Sequence, residues 1–215
     1  MNRFFVGLDL GQSHDFTAIA VVERVESVGE LDKAVWAPRK EVAARLRYLE
    51  RLPLGTPYPE VVGRAGQVVR SPQVAGACHL IVDATGVGRP VVDMLRAERL
   101  PCRLVPALIT AGYQENQTNG YYHVPKRDLI TGLRVLLEQQ GLQIAARLEL
   151  GRTLVTELAE MRVKVSMAGN EQYGAWREGT HDDLVLAVAL ACWGMRKAYP
   201  GAMAGRHWGR PVLGL

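Results

Sequence analysis

Cysteine is scarce in this sequence, and what there is has no metal-binding pattern. The three cysteines, Cys78, Cys102 and Cys192, lie far apart inside apolar runs, with no CxxC pair. Neither a thiolate metal site nor a disulfide framework can be read from them. They are expected to be small core hydrophobes in a reducing compartment. Long apolar runs are missing as well: the longest, LVLAVALACWGM after His181-Asp182-Asp183, is too short to span a bilayer. No secretory leader opens the chain, since MNRFF passes straight into a strand-like run. A soluble, cytoplasmic protein without a membrane partner is expected. Internal repeats and low-complexity segments are absent too.

What remains is ordinary in amount and informative in placement. Over 215 residues, 48% hydrophobic and 22% charged content fits one globular domain with a real core. The formal charge of +4 and isoelectric point near 9.1 suit a polyanionic partner. Strand-like runs appear at FFVGLDL, TAIAVVERV and ARLRYLERL. A Pro/Gly loop (LPLGTPYP) then leads to a helix over PEVVGRAGQVVRS, with Pro59 suited to its first turn. CHLIVDA is almost wholly apolar, as befits a central strand covered on both faces. A helix in TGVGRPVVDMLRAERL and a strand at CRLVPALIT follow. The polar and aromatic TAGYQENQTNGYYHVP reads as an exposed loop or hairpin turning at Asn119-Gly120. PKRDLITGLRVLLEQQG is a helix opened by Pro125 and closed by Gly141, and LGRTLVTELAEMRVKVS passes from helix to strand at MRVKV. A polar loop, AGNEQYGAWREGT, precedes the last helix, HDDLVLAVALACWGMRKA. The glycine-rich tail GAMAGRHWGRPVLGL is expected to be mobile. Three antiparallel strands, joined in parallel by CHLIVDA through a crossover helix, give an α/β domain with a mixed β-sheet.

Acidic residues sit at the ends of the most apolar elements. Asp9 closes the first strand, Asp83 ends CHLIVDA ahead of a glycine turn, and Asp182 and Asp183 open the last helix. Each has a bland role: turn cap for Asp9 and Asp83, helix cap for the pair. One aspartate would satisfy the helix cap, and a second beside it is less expected. A buried carboxylate is costly without a cation or several donors. Together these positions suggest an oxygen cage for hard divalent cations, two of which, about 4 Å apart, can clamp the attacking and leaving oxygens of a phosphodiester.

In order, GLDLGQSHDFTAIAVV, LERLPLGTPYPEVV, LIVDATGVGRPVVDML and THDDLVLAVALA resemble the nuclease domain of phage large terminase subunits, from about Phe4 to Trp193. The resemblance implies a ribonuclease H-like mixed β-sheet flanked by helices. It also implies cleavage of double-stranded viral DNA during genome packaging, with two Mg²⁺ or Mn²⁺ ions. Carried over by position, Asp9, Asp83 and Asp183 are metal ligands and catalytic residues. Asp182 is a close second to Asp183, and His181 is either an auxiliary ligand or a polar residue just ahead of the helix cap. Consecutive helical residues point about 100° apart, so Asp183 is expected in the site and Asp182 as the cap. Lys126, Arg127, Arg152, Arg162, Lys164 and Arg177 are candidates for a basic rim along the DNA. The implied partners are double-stranded DNA, a packaging ATPase domain, the small terminase subunit and the portal, in the host cytoplasm. No GxxxxGK[ST] phosphate loop is present, so the chain is expected to be a nuclease domain (residues 1–198, tail 199–215) cut from a longer terminase, or a freestanding relative. Three rivals stand beside this reading: a Holliday-junction resolvase of the same fold, a catalytically silent DNA-docking module, and an actin-like or sugar-kinase phosphotransferase suggested by DLGQS.

Overall fold

A computed structural model of the chain describes residues 3–11, 15–32, 36–86, 88–165, 171–174 and 181–200. The expectation for the tail from Gly201 onward lies outside them. Eight strands form one mixed sheet in the order β6-β7-β5-β4-β1-β2-β3-β8. Its centre is β1 (Phe4–Asp9), flanked by β2 (Ala18–Asp32) in antiparallel and β4 (Cys78–Asp83) in parallel register. β3 (Ala37–Arg51) pairs antiparallel with β2, and α1 (Tyr58–Arg70) carries the chain across to β4. Pro59 lies in the first turn of α1, where its missing N–H costs nothing. After α2 (Gly88–Ala97), β5 (Arg103–Thr110) adds in parallel to β4.

Asn119 and Gly120, both at positive φ, turn the β6 (Asn116–Thr118) to β7 (Tyr121–Pro125) hairpin. β7 also joins the sheet beside β5, so this segment is more integrated than an exposed loop. Helix α3 (Lys126–Glu138) starts directly after Pro125. Short β8 (Leu142–Ile144), which has no periodicity to announce it, extends the sheet beyond β3. Helix α4 (Gly151–Glu160), the ribbon β9 (Arg162–Val165) with β10 (Glu171–Gly174), and α5 (Asp183–Ala198) complete the described elements.

The sheet is buried on both faces, as the apolar character of CHLIVDA requires. On one face Val6, Leu8, Leu80 and Val82 pack against α1 and α2. On the other, Phe5, Ala18, Ala20 and Ile81 pack against α3, α4 and α5. The period of two along a strand therefore puts Gly7 and Asp9, like Phe5, on the α5 face, and Asp83, like Ile81, beside them. Helix α5 is buried from Asp183 through Met195. It lies close because Gly7 has no side chain: a Cβ there would collide with the Ala187 carbonyl oxygen. The strands β2 and β3 run 15 residues each, well past the apolar stretches that mark them in sequence, and their far ends form a ribbon exposing Val28 and Trp36. Among the described residues no helix is long and apolar enough to cross a membrane.

Candidate active site

The sheet register builds a row of side chains across the α5 face. Asp9 pairs with Ala18, and Ala18 pairs with Arg51. On the other side, Leu8 pairs with Val82, so one step further Asp9 neighbours Asp83. The sequence Asp83, Asp9, Ala18, Arg51 thus crosses four strands, and Ala18 leaves space between the acids and the arginine. The start of α5 comes down over this row, held by the contact at Gly7. Asp83 and Asp9 leave from the C-terminal ends of two parallel strands, where ligand sites of open α/β sheets lie.

Each carboxylate has a distinct setting. Asp9 is 7% exposed. Burial, then the charges of Asp83, Asp182 and Asp183, push its carboxyl well above the ordinary range; Lys126 opposes them, and no hydrogen bond from a described residue does. Asp83 Oδ1 accepts from the Thr85 backbone N–H at 2.8 Å and from its hydroxyl at 2.5 Å. The turn cap allowed by sequence is therefore real, and Gly86 at φ 58° completes the turn. Burial still raises the Asp83 carboxyl, against the Thr85 hydrogen bonds. Asp183, the first residue of α5, is 3% exposed. It receives Arg51 as a fork, Nε to Oδ2 at 2.7 Å and Nη2 to Oδ1 at 3.1 Å. Burial raises Asp183 and Arg51 lowers it.

The expected division of labour between the two neighbours is half corrected. Asp182 occupies the N-cap position of α5, but its side chain makes no capping hydrogen bond. It accepts instead from Lys126 Nζ at 2.7 Å, and only its backbone carbonyl serves the helix, receiving Leu186 N–H. An ammonium at the start of α3 outcompetes a backbone amide for this carboxylate. Lys126 thereby leaves the expected basic rim and stands within the acid cluster. His181 packs edge-on to Phe16 with ring centroids 5.0 Å apart, and its charge lowers Asp183. Arg127 pairs with Asp128 at 3.4 Å and lies over Tyr113. Arg152 is exposed at the start of α4. The Arg162 and Lys164 side chains and all of Arg177 lie outside the described residues.

Two partners escape a reading by motif. Arg51 also bonds Glu157, and its guanidinium lies 4.8 Å from the centre of the Phe16 ring. Glu157 in α4 is 5% exposed and its Oε2 has no partner among the described residues. Burial and the neighbouring Asp183 push it up to about 7, because two carboxylates share one guanidinium. Its signal was present in TLVTELAEM: Leu154, Glu157 and Leu158 lie on one helical stripe, so the acid had to face inward. Arg51 carried no such signal, being one of several arginines on an alternating strand.

The donor set is chemically suited to a hard divalent cation: aspartate oxygens, one of them buried without a hydrogen-bond donor among the described residues. Among those residues no three His, Cys, Asp or Glu side chains are gathered tightly enough to hold a metal ion. The reason is visible in the pairing. Asp183 turns to Arg51, Asp182 to Lys126 and Asp83 to Thr85, so protein donors hold the oxygens apart.

A mixed sheet of this order with helices on both faces is ribonuclease H-like, and the acids lie at its central strands. Solved structures it resembles include nuclease domains of phage large terminases. Against the magnesium-bound large terminase nuclease of thermophilic phage G20c the TM-score is 0.59, with 22% identity over 89% of this chain and 80% of that one. The manganese-bound g2p nuclease domain of bacteriophage SPP1 gives 0.53, with 14% identity over 90% and 86% of the chains. The nuclease domain of the large terminase subunit gp2 of bacterial virus Sf6, with manganese, gives 0.59 at 10% identity over 88% and 87%. At these identities the likeness is one of fold. No family model matches the sequence, and no curated protein matches it.

Proposed function

We propose that this chain is a metal-dependent endonuclease that cleaves double-stranded DNA during phage genome packaging. Asp9, Asp83 and Asp183 would hold Mg²⁺ or Mn²⁺, two ions in the complete site, with Asp182 and His181 beside them. The observation that carries the reading is the meeting of Asp9 and Asp83, at adjacent parallel strand ends, with the buried Asp183 of α5. Among the described residues no donor meets the buried Asp9 carboxylate, and a cation would balance it. Bound to these oxygens, the metal supplies Lewis acidity toward water and phosphate, and the positive charge that lets a phosphodiester approach several carboxylates. The protein's own groups do the rest. The Arg51 fork fixes the Asp183 carboxylate, the Thr85 turn fixes Asp83, and Lys126 balances charge at Asp182 and Asp9. Arg127 and Arg152 are candidates to meet DNA phosphates, along with Arg162, Lys164 and Arg177, making binding salt-sensitive and largely sequence-independent. The nuclease domain would comprise residues 1–198, followed by the tail 199–215. A packaging ATPase, the small terminase subunit and the portal would be its partners in the host cytoplasm.

One observation favours a second reading, a silent DNA-docking module: three of the four aspartates are already paired within the protein. Plasmid nicking separates the two. Cleavage that requires Mg²⁺ or Mn²⁺, stops in EDTA, and falls at least about 100-fold in Asp9→Asn and Asp83→Asn is expected. DNA binding with no metal-dependent cleavage would establish the docking module instead.

A further inference from the structure

At the end of the sheet away from the acids, the chain places two thiols side by side. His79 pairs with Arg103 in the parallel β4–β5 ladder, so one step earlier Cys78 stands beside Cys102. Paired residues of a parallel ladder point to the same face, here the one covered by α1 and α2, and both sulfurs belong to that apolar cluster. Neighbouring strands lie about 4.8 Å apart, within the Cα separation that a disulfide spans. Widely spaced in sequence, they are adjacent in space, a relation that spacing along the chain does not show. Cys192, by contrast, is 1% exposed within α5.

The pair is asymmetric in the way a reactive dithiol is. Cys78 is 2% exposed, while Cys102 is only partly buried and precedes β5, where the backbone is not yet locked in the ladder. The neighbouring Cys78 thiol and Arg70 lower the Cys102 thiol, against burial. Cys102 and burial raise Cys78. Cys102 is thus the accessible nucleophile and Cys78 the sheltered partner.

We propose that Cys78 and Cys102 form an oxidant-responsive dithiol that closes to a disulfide across the β4–β5 ladder when the protein meets a peroxide. The Cys102 thiolate attacks one peroxide oxygen, the O–O bond breaks, and water leaves after protonation, giving a sulfenic acid. The Cys78 sulfur then attacks the Cys102 sulfur, and the sulfenic hydroxyl leaves as water with the Cys78 proton. Two thiols and one hydrogen peroxide become one disulfide and two waters, two electrons passing from sulfur to oxygen. No metal takes part, so the dithiol stands or falls independently of the nuclease reading.

The test is intact-mass and peptide analysis of the purified chain after exposure to hydrogen peroxide. The expected result is a loss of about 2 Da, reversed by dithiothreitol. Two of the three thiols should be lost to alkylation, with the Cys78 and Cys102 peptides joined. Closing this loop should raise the melting temperature by about 5–10 °C. In Cys78→Ser, Cys102 should be trapped by dimedone as the sulfenic acid; in Cys102→Ser, Cys78 should stay reduced. An unchanged mass, an intermolecular disulfide, or Cys192 in the linked pair would overturn the proposal. The wild-type peptide map decides the matter even if a serine variant fails to fold.

Discussion

Glu157→Gln should stabilise the protein at pH 8 and not at pH 5. The folded state holds Glu157 at about 7 against an ordinary 4.5, because burial and Asp183 outweigh Arg51. A carboxyl raised on folding binds more protons folded than unfolded, so its stability contribution falls as pH rises from 4.5 toward 7. The shift corresponds to about 3 kcal/mol lost by pH 8. Glutamine keeps the shape and removes that loss. Against this, it weakens the charge-assisted bond from Arg51 and puts an amide N–H where Oε2 has no partner among the described residues, about 1 kcal/mol each. The net gain at pH 8 is about 1–2 kcal/mol. A chain of 215 residues shifts its melting temperature by about 2 °C per kcal/mol, so a rise of about 2–4 °C is expected. At pH 5, where the wild-type carboxyl is already protonated, the variant should be no more stable than wild type. Thermal unfolding followed by circular dichroism in EDTA-containing buffer reads both. A variant that melts below wild type at pH 8, or a difference that does not change with pH, would refute the argument.

Three further outcomes follow from the same geometry. Asp183→Asn should remove detectable cleavage, while Asp182→Asn should cost about 10-fold, as expected of a group acting from behind a ligand; a reversed order in a plasmid assay would make Asp182 the inner residue. Because Asp182 makes no capping bond and its pair with Lys126 is about a quarter exposed, Asp182→Ala should cost under about 1 kcal/mol in urea unfolding. Gly7→Ala should be severe, about 3 kcal/mol or about 6 °C, since the methyl meets the Ala187 backbone rather than a movable side chain; a melt within 1 or 2 °C of wild type, roughly, would show that α5 can yield.

Much of this molecule is written locally. An apolar run marks β1, and an almost wholly apolar one marks β4 as central. Pro59 and Pro125 set helix starts, and the conjunction of Asp9, Asp83 and Asp183 at element ends singled out the acids. These are short-range signals, because strand period, turn chemistry and helix capping involve residues within a few positions of each other. The polar far halves of β2 and β3, and short β8, were not legible, since pairing with a neighbouring strand rather than their own pattern makes them strands.

Only the tertiary structure decided who pairs with whom. The register that sets Ala18 between Asp9 and Arg51, and the closeness of α5 at Gly7, bring together side chains distant in sequence, Arg51 and Asp183 being 132 positions apart. Arg51 thereby takes Asp183 and Glu157, Lys126 takes Asp182 from its cap, and Cys78 meets Cys102. Charge and thiol chemistry act over a few ångströms in space. The sequence therefore shows which residues are costly to bury, and the fold alone determines which partner relieves each of them.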